Sequence, residues 1–306
     1  VPSTWGKRRT CGGSHSKFWF VRFAATVLLW LLATAALAVA IPTMWAQHNI
    51  VDEDGYAVLA RQAADDPALQ SAMASELTTR AMALIAEHGA SRQVDGSLVD
   101  DAAAAFTAGP SFPPLFVQVN RAAHRWLFTE PQLTGDQWVV DVAPMLKDSS
   151  LQQILERYQV KAPDTLKVPL TVSGPHPVRQ GQLHRLAVRG PWVSVGAAAA
   201  SAVCALLLLM AARRRGKALT SLGVSALLVG AAGWAGIEIG RRLVNDQLNQ
   251  TTGDIRRMAD VMVGQAEDSL HQWLNVTLVA GAVLVVVGVV VAVLGGLFRR
   301  DQHAAT

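Results

Sequence analysis

The sequence predicts a membrane α fold: four transmembrane helices and, between spans 1 and 2, a mainly helical exported domain of α+β type with a small two-strand sheet. Three observations lead there. Leu274–Phe298 runs for twenty-five residues without a charge and is followed by Arg299 and Arg300, whereas about 20 apolar helical residues already cross a bilayer. The composition is 51% hydrophobic and 16% charged over 306 residues, too apolar for a soluble chain and too charged for spans alone. Basic residues also gather at one side of every span: Lys7, Arg8, Arg9 and Lys17, then Arg213, Arg214, Arg215 and Lys217, then Arg299 and Arg300.

That asymmetry sets the expected topology. Residues 47–190 hold twelve basic and sixteen acidic side chains, so the positive-inside rule puts this segment outside a plasma membrane and both termini in the cytoplasm. The organisation that follows is a basic segment 1–17, a first span 18–46, an exported domain 47–190, a second span 191–212, an inner turn 213–217, a third span 218–240, an outer helical hairpin 241–273, a fourth span 274–298 and an inner tail 299–306. The small-residue steps at Ala36–Ala40 resemble signal cleavage sites, but the apolar run is longer than a signal core of about 7–15 residues, and an uncleaved anchor is expected. The net charge of +4 is then a topology signal; no basic patch interleaved with aromatics points to nucleic acid.

In the exported domain, Asp66-Pro67 caps a helix whose apolar face carries Leu69, Met73, Leu77, Ala81 and Leu84 until Gly89. A second helix carries Leu98, Val99, Ala102, Ala103 and Phe106 and stops at Gly109-Pro110. A third aligns Leu115, Phe116, Val119, Ala122, Ala123, Trp126 and Leu127, a stripe that must be buried. The period then changes to two around Trp138–Val142 and Leu166–Val172, which read as strands, with a short helix capped by Asp148 between them. Trp192 marks the membrane interface of the second span.

The fourth span carries Gly281, Gly288 and Gly295 at a spacing of seven, and the third carries Ala226, Gly233 and Gly240. Side-chain-free stripes let helix backbones approach closely in lipid, so the two spans are expected to pack as an antiparallel hairpin. Between them, Ile255, Met258, Met262, Ala266 and Trp273 give the outer segment an apolar side expected to pack on the exported domain.

Candidate chemistry is thin. Glu238 is the one acid in a span, the default position for a functional suspect, yet Arg242 stands one helical turn on, where a surface ion pair is natural. Asn120 and His124 are likewise one turn apart beside the apolar stripe. No catalytic, cofactor or metal-ligand pattern accompanies them, and Asp52-Glu53-Asp54 lacks the oxygens and glycine of a calcium loop. Two cysteines, Cys11 and Cys204, leave the exported domain to its own core.

The run Ile50-Val51-Asp52-Glu53-Asp54-Gly55-Tyr56, continuing through Ala57–Ala64 to Asp65-Asp66-Pro67 and Glu76-Leu77-Thr78, resembles a pattern in actinobacterial, mycobacterial-type four-span integral membrane proteins, as does Asn120-Arg121-Ala122-Ala123-His124. The resemblance implies the same layout and no assigned activity. The expected function is that of a non-catalytic cell-envelope protein, seated among membrane lipids, whose exported domain binds or stabilises a partner protein. The competing expectation is a lipid-handling or transport accessory with an apolar groove in that domain.

Overall fold

The computed structural model describes residues 14–87, 95–130, 139–141, 167–169, 179–212, 215–248 and 253–304. Its helices are α1 (Ser14–Ala46), running into a π-helical turn (Gln47–Val51), α2 (Glu53–Ala64), α3 (Pro67–Glu87), α4 (Gly96–Thr107), α5 (Phe112–Phe128), α6 (His184–Ala211), α7 (Arg215–Leu248) and α8 (Gly253–Ala304). Segments within four of them, Phe23–Val51, His184–Ala211, Arg215–Asp246 and Gly253–Gly295, are long and apolar enough to cross a membrane. By length and composition this is a multi-pass membrane protein. The helices overrun the expected spans: α6 begins at His184 rather than at 191 and carries Pro191 in its second turn, and α8 is continuous for 52 residues.

The chain divides into two units. The first comprises the residues up to Ile41, Val195–Gly233 and those from Leu274 on. Here α7 and α8 meet through glycine. A Cβ at Gly223 would lie 2.7 Å from the Gly281 carbonyl oxygen, one at Gly288 2.5 Å from the Thr220 amide nitrogen, and one at Gly216 2.6 Å from the Gly288 carbonyl oxygen. The antiparallel hairpin is present, but its register corrects the expected stripes. Gly216, Gly223 and Gly230 form the seam on α7, with Ala226 and Gly233 beside it, while Gly240 and Gly295 meet nothing within 4 Å. On the opposite face of α8, Val276, Val279, Val283, Val286, Val290 and Val293 are exposed, the stripe a lipid-facing helix presents.

Short hydroxyl side chains tie the other helices of this unit together. The Trp30 indole donates to the Ser221 carbonyl at 3.0 Å, Thr34 and Ser225 share a 2.8 Å bond between their hydroxyls, and Ser201 donates to the Ala33 carbonyl at 3.3 Å. Each hydroxyl has a partner, as burial away from water requires.

The second unit comprises Pro42–Ser194 and Trp234–Trp273. Its core joins Ala57, Ala60, Ala63 and Ala64 of α2, Leu69 of α3, Phe106 of α4, and Phe112, Phe116 and Val117 of α5. Met258, Val261 and Met262 of α8 pack against it, as the apolar side of that segment predicts. The alanine face of α2 lets the aromatic rings of its neighbours come close; full burial of each phenylalanine contributes roughly 1.5–3 kcal/mol. Asp66 caps α3, accepting from the Ala68 amide at 2.8 Å. The buried face of α5 is rotated from the expected one: Phe112, Phe116, Val117 and His124 are buried, whereas Val119, Ala122 and Trp126 are only half-buried.

Val139–Asp141 and Lys167–Pro169 run antiparallel, with Val140 opposite Val168. These six residues are what is described of the strand segments expected there, and among the described residues the core is built from helices. The helix expected after Asp148 and the stop at Gly89 lie outside the described residues.

One glycine of this unit is sterically required. The π-helical turn directs the His48 carbonyl at Gly55, where an added Cβ would overlap it. Ala at Gly55 is therefore expected to cost about 2 kcal/mol, within the range of overpacking, because backbone and not a flexible side chain stands in the way. A thermal melt of the G55A protein beside wild type checks this.

Candidate functional site

Asn120 and His124, the pair singled out from the sequence, lie on one face of α5 against α2. The turn before α2 explains how they are placed. The π-helical turn closes with the Asp52 amide donating to the Gln47 carbonyl at 2.9 Å, and Asp52 then caps α2, accepting from the Asp54 and Gly55 amides at 3.0 Å each. The change from one helix to the next leaves the Ile50 carbonyl to find a partner outside the ladder. His124, only 5% exposed, supplies it: Nε2, carrying the proton, donates to the Ile50 carbonyl at 2.9 Å.

The imidazole is enclosed by rings on both sides. Phe128 stacks on it with centroids 4.3 Å apart, and Tyr56 is tilted against it at 5.2 Å. The Tyr56 hydroxyl donates to Asn120 Oδ1 at 3.2 Å, and Asn120 Nδ2 donates to the Phe116 carbonyl at 2.9 Å. Outside this layer, Arg121 forks onto two carboxylates, Nη1 to Glu53 at 3.1 Å and Nη2 to Asp54 at 2.7 Å, and Arg125 reaches Glu53 at 3.8 Å. The hydrogen bonds it donates to Asp54 and then to Glu53 hold the Arg121 guanidinium above its ordinary pKa. The C-terminus of α5 is closed by the turn before α6. Gly181, at φ 69°, donates its amide to the Trp126 carbonyl, Leu183 donates to that of Leu127, and His184 Nδ1 to that of Phe128 at 3.1 Å.

The runs 50–56 and 120–124 are thus the two sides of one interface. Glu53 and Asp54, weighed in the sequence only as part of a calcium loop, belong to it as partners of Arg121, and Tyr56 and Arg121 join Asn120 and His124 as members that the sequence reading does not name as site candidates. A signal for them exists in the sequence: three acids at Asp52–Asp54 face two arginines spaced one helical turn apart, Arg121 and Arg125.

Burial pushes the Tyr56 phenol above its ordinary value of 10.0. A pKa raised by folding contributes stability that is full below pH 10 and is lost as pH rises through the folded value. Wild type is therefore expected to lose stability above pH 10 more steeply than the Tyr56→Phe variant, whose cost at neutral pH is about 1 kcal/mol for the hydrogen bond to Asn120. Denaturant titrations of both proteins between pH 8 and 11.5 compare the slopes.

Glu238 and Arg242 stand apart from this cluster. Arg242 Nη2 lies 3.5 Å from Glu238 Oε1, with the two side chains 76% and 60% exposed, the surface pair that the i, i+4 spacing predicts. On the neighbouring turn, Arg241 approaches Glu267 at 3.8 Å. No hydrogen bond or ion pair links either couple to Asn120 or His124 among the described residues, and the same residues include no group of three or more His, Cys, Asp or Glu that could hold a metal ion. A second polar cluster lies in the same unit, where the Trp45 indole donates to Ser269 at 3.2 Å, Ser269 donates to Asn49 Oδ1 at 3.3 Å and Asn49 donates back to the Trp45 carbonyl.

What the Asn120–His124 arrangement does chemically is join helices. Its donors end on backbone carbonyls or on one another, and its charges are paired. Comparison with known proteins adds no assignment: no protein-family model, curated protein or solved structure matches the chain.

Proposed function

We propose that this is a non-catalytic cell-envelope protein of the plasma membrane, both ends cytoplasmic, whose exported helical domain binds or stabilises a partner protein, in the manner of the actinobacterial four-span group it resembles. The observation that carries this reading is the commitment of the chemistry-bearing side chains: Tyr56, Asn120, Arg121 and His124 are spent on holding α2 to α5. The apolar faces of α2, α3, α4 and α5 are likewise spent on each other, with Ala60, Ala63, Ala64, Leu69 and Phe112 wholly buried, which favours a solid body over an acyl-chain groove in this domain.

The outer face of α4 suits a protein partner. Asp95, Leu98 and Asp101 are exposed at a spacing of three, an apolar side chain between two acids. A partner with basic residues around a shallow apolar pocket would complement it.

In-cell crosslinking followed by mild-detergent purification tests the proposal. A protein recovered at near-equal amount, and lost from the Leu98→Asp/Asp101→Lys double variant, is the expected result. Recovery of the chain alone, with a lipid bound to its exported domain, would overturn it in favour of lipid handling. His124→Ala addresses catalysis. Removing the imidazole leaves the Ile50 carbonyl unsatisfied, so a loss of about 1–3 kcal/mol of stability is expected; loss of function at unchanged stability would mean that His124 acts chemically.

A further inference from the structure

We propose that the first unit binds one anionic phospholipid, with an acyl chain in the cleft between α1, α6 and α7 and the phosphate on Lys217. The cleft has a volume of about 560 Å³, within the range of roughly 300–1,000 Å³ typical of small-molecule sites. Its walls are Val27 and Trp30 of α1, Leu208 of α6 with Ala212 just past its end, and Ala218 and Ser221 of α7.

The polar atoms on these walls are already committed within the protein. The Trp30 indole donates to the Ser221 carbonyl, and the Ser221 hydroxyl donates to the Ala218 carbonyl at 2.8 Å. What the cleft offers an occupant along its length is therefore hydrocarbon and ring surface, which suits an acyl chain and disfavours a polar solute.

The rim is different. Lys217 lines the cleft and is exposed, and it has no ion pair among the described residues. Arg215, two residues earlier, is exposed as well. An apolar slot between membrane helices with uncompensated basic charge at its mouth is the arrangement that selects an acidic headgroup. This inference needs only that the four helices lie in a bilayer; it is independent of any partner of the exported domain.

The test uses the full chain in mild detergent, with native mass spectrometry after addition of equal amounts of dioleoylphosphatidylglycerol and dioleoylphosphatidylcholine. Wild type is expected to retain one phosphatidylglycerol in clear preference. Lys217→Gln is expected to lower that preference about fivefold, the effect of one basic residue near an anionic lipid, while Arg185→Gln, which removes an exposed arginine at the start of α6, leaves it unchanged. Val27→Trp, or Ala212→Phe if the first melts below wild type, fills the cleft and abolishes the one-to-one complex. Equal retention of the two lipids, an unchanged preference in Lys217→Gln, the same drop in Arg185→Gln or persistence of the complex in the filled variant would each overturn the proposal. Displacement of phosphatidylglycerol by equimolar oleate would do so too, assigning the site to a free fatty acid.

Discussion

Phe112→Ala is expected to cost the second unit about 3–5 kcal/mol, the range for emptying a fully buried phenylalanine site. Phe112 is 0% exposed and opens α5, where its amide donates to the Gly109 carbonyl at 3.2 Å. Its ring meets Phe106 edge-on with centroids 5.9 Å apart and Phe116, tilted, at 5.5 Å, so truncation removes the middle of three contacting rings. The site is poorly able to collapse, because the facing residues of α2 are alanines, already without side chain to move inward. Phe112→Leu, which keeps most of the volume, should cost less than about 1.5 kcal/mol, and Val58→Ala, at a position 56% exposed, should stay within about 0.5 kcal/mol. Denaturant unfolding of the three variants measures the series; a cost below about 1 kcal/mol for Phe112→Ala would mean that the core is centred elsewhere.

The second large effect is expected in the first unit, at Gly288. A leucine there would place its Cβ 2.5 Å from both the amide nitrogen and the hydroxyl of Thr220, and 2.8 Å from the Gly216 carbonyl oxygen. Two of these three atoms are backbone, so α7 and α8 must separate to admit the side chain. We expect a loss of about 3 kcal/mol, the upper end of ordinary overpacking. Gly295, seven residues on in the same stripe, provides the internal control: a Cβ there meets nothing within 4 Å, and Gly295→Leu should leave stability unchanged. Melting both variants in lipid nanodiscs compares them directly. Equal effects at the two positions would contradict the register of the hairpin.

The glycine stripes illustrate how far periodicity reaches. A spacing of seven in α8 announces a helix partner, because lipid gives no other reason to omit side chains along one face. It does not say where along the partner each glycine lands. That offset is set by summed packing over the whole interface, and it shifted the seam on α7 to Gly216, Gly223 and Gly230, the first of which lies in the segment expected to be a turn.

The α2–α5 interface illustrates another limit: the acids at 52–54 and the arginines at 121 and 125 signal a charge pairing, but not which helix faces meet. The run Ala57–Ala64 turns alanines inward, side chains too short to mark a face as plainly as leucine or phenylalanine, yet it became part of the core of the second unit. His124 flanks the apolar stripe expected from the sequence and lies inside the buried face of the structure, because α5 turns that face toward Ile50 and Tyr56, both distant in sequence. Hydropathy treats a histidine as polar, whereas burial depends on whether a partner such as the Ile50 carbonyl is within reach.

Local composition by itself determined the four apolar helices, the caps at Asp66 and the pairing of Glu238 with Arg242, since each depends on residues within a few turns of one helix. Tertiary structure alone decided which glycines touch, which side of α5 is buried, and that Glu53 and Asp54 serve as anchors for Arg121. The physical reason is range. Helix formation and membrane insertion are sums over neighbouring residues, whereas register and the satisfaction of buried polar groups depend on what a distant segment brings to the same place.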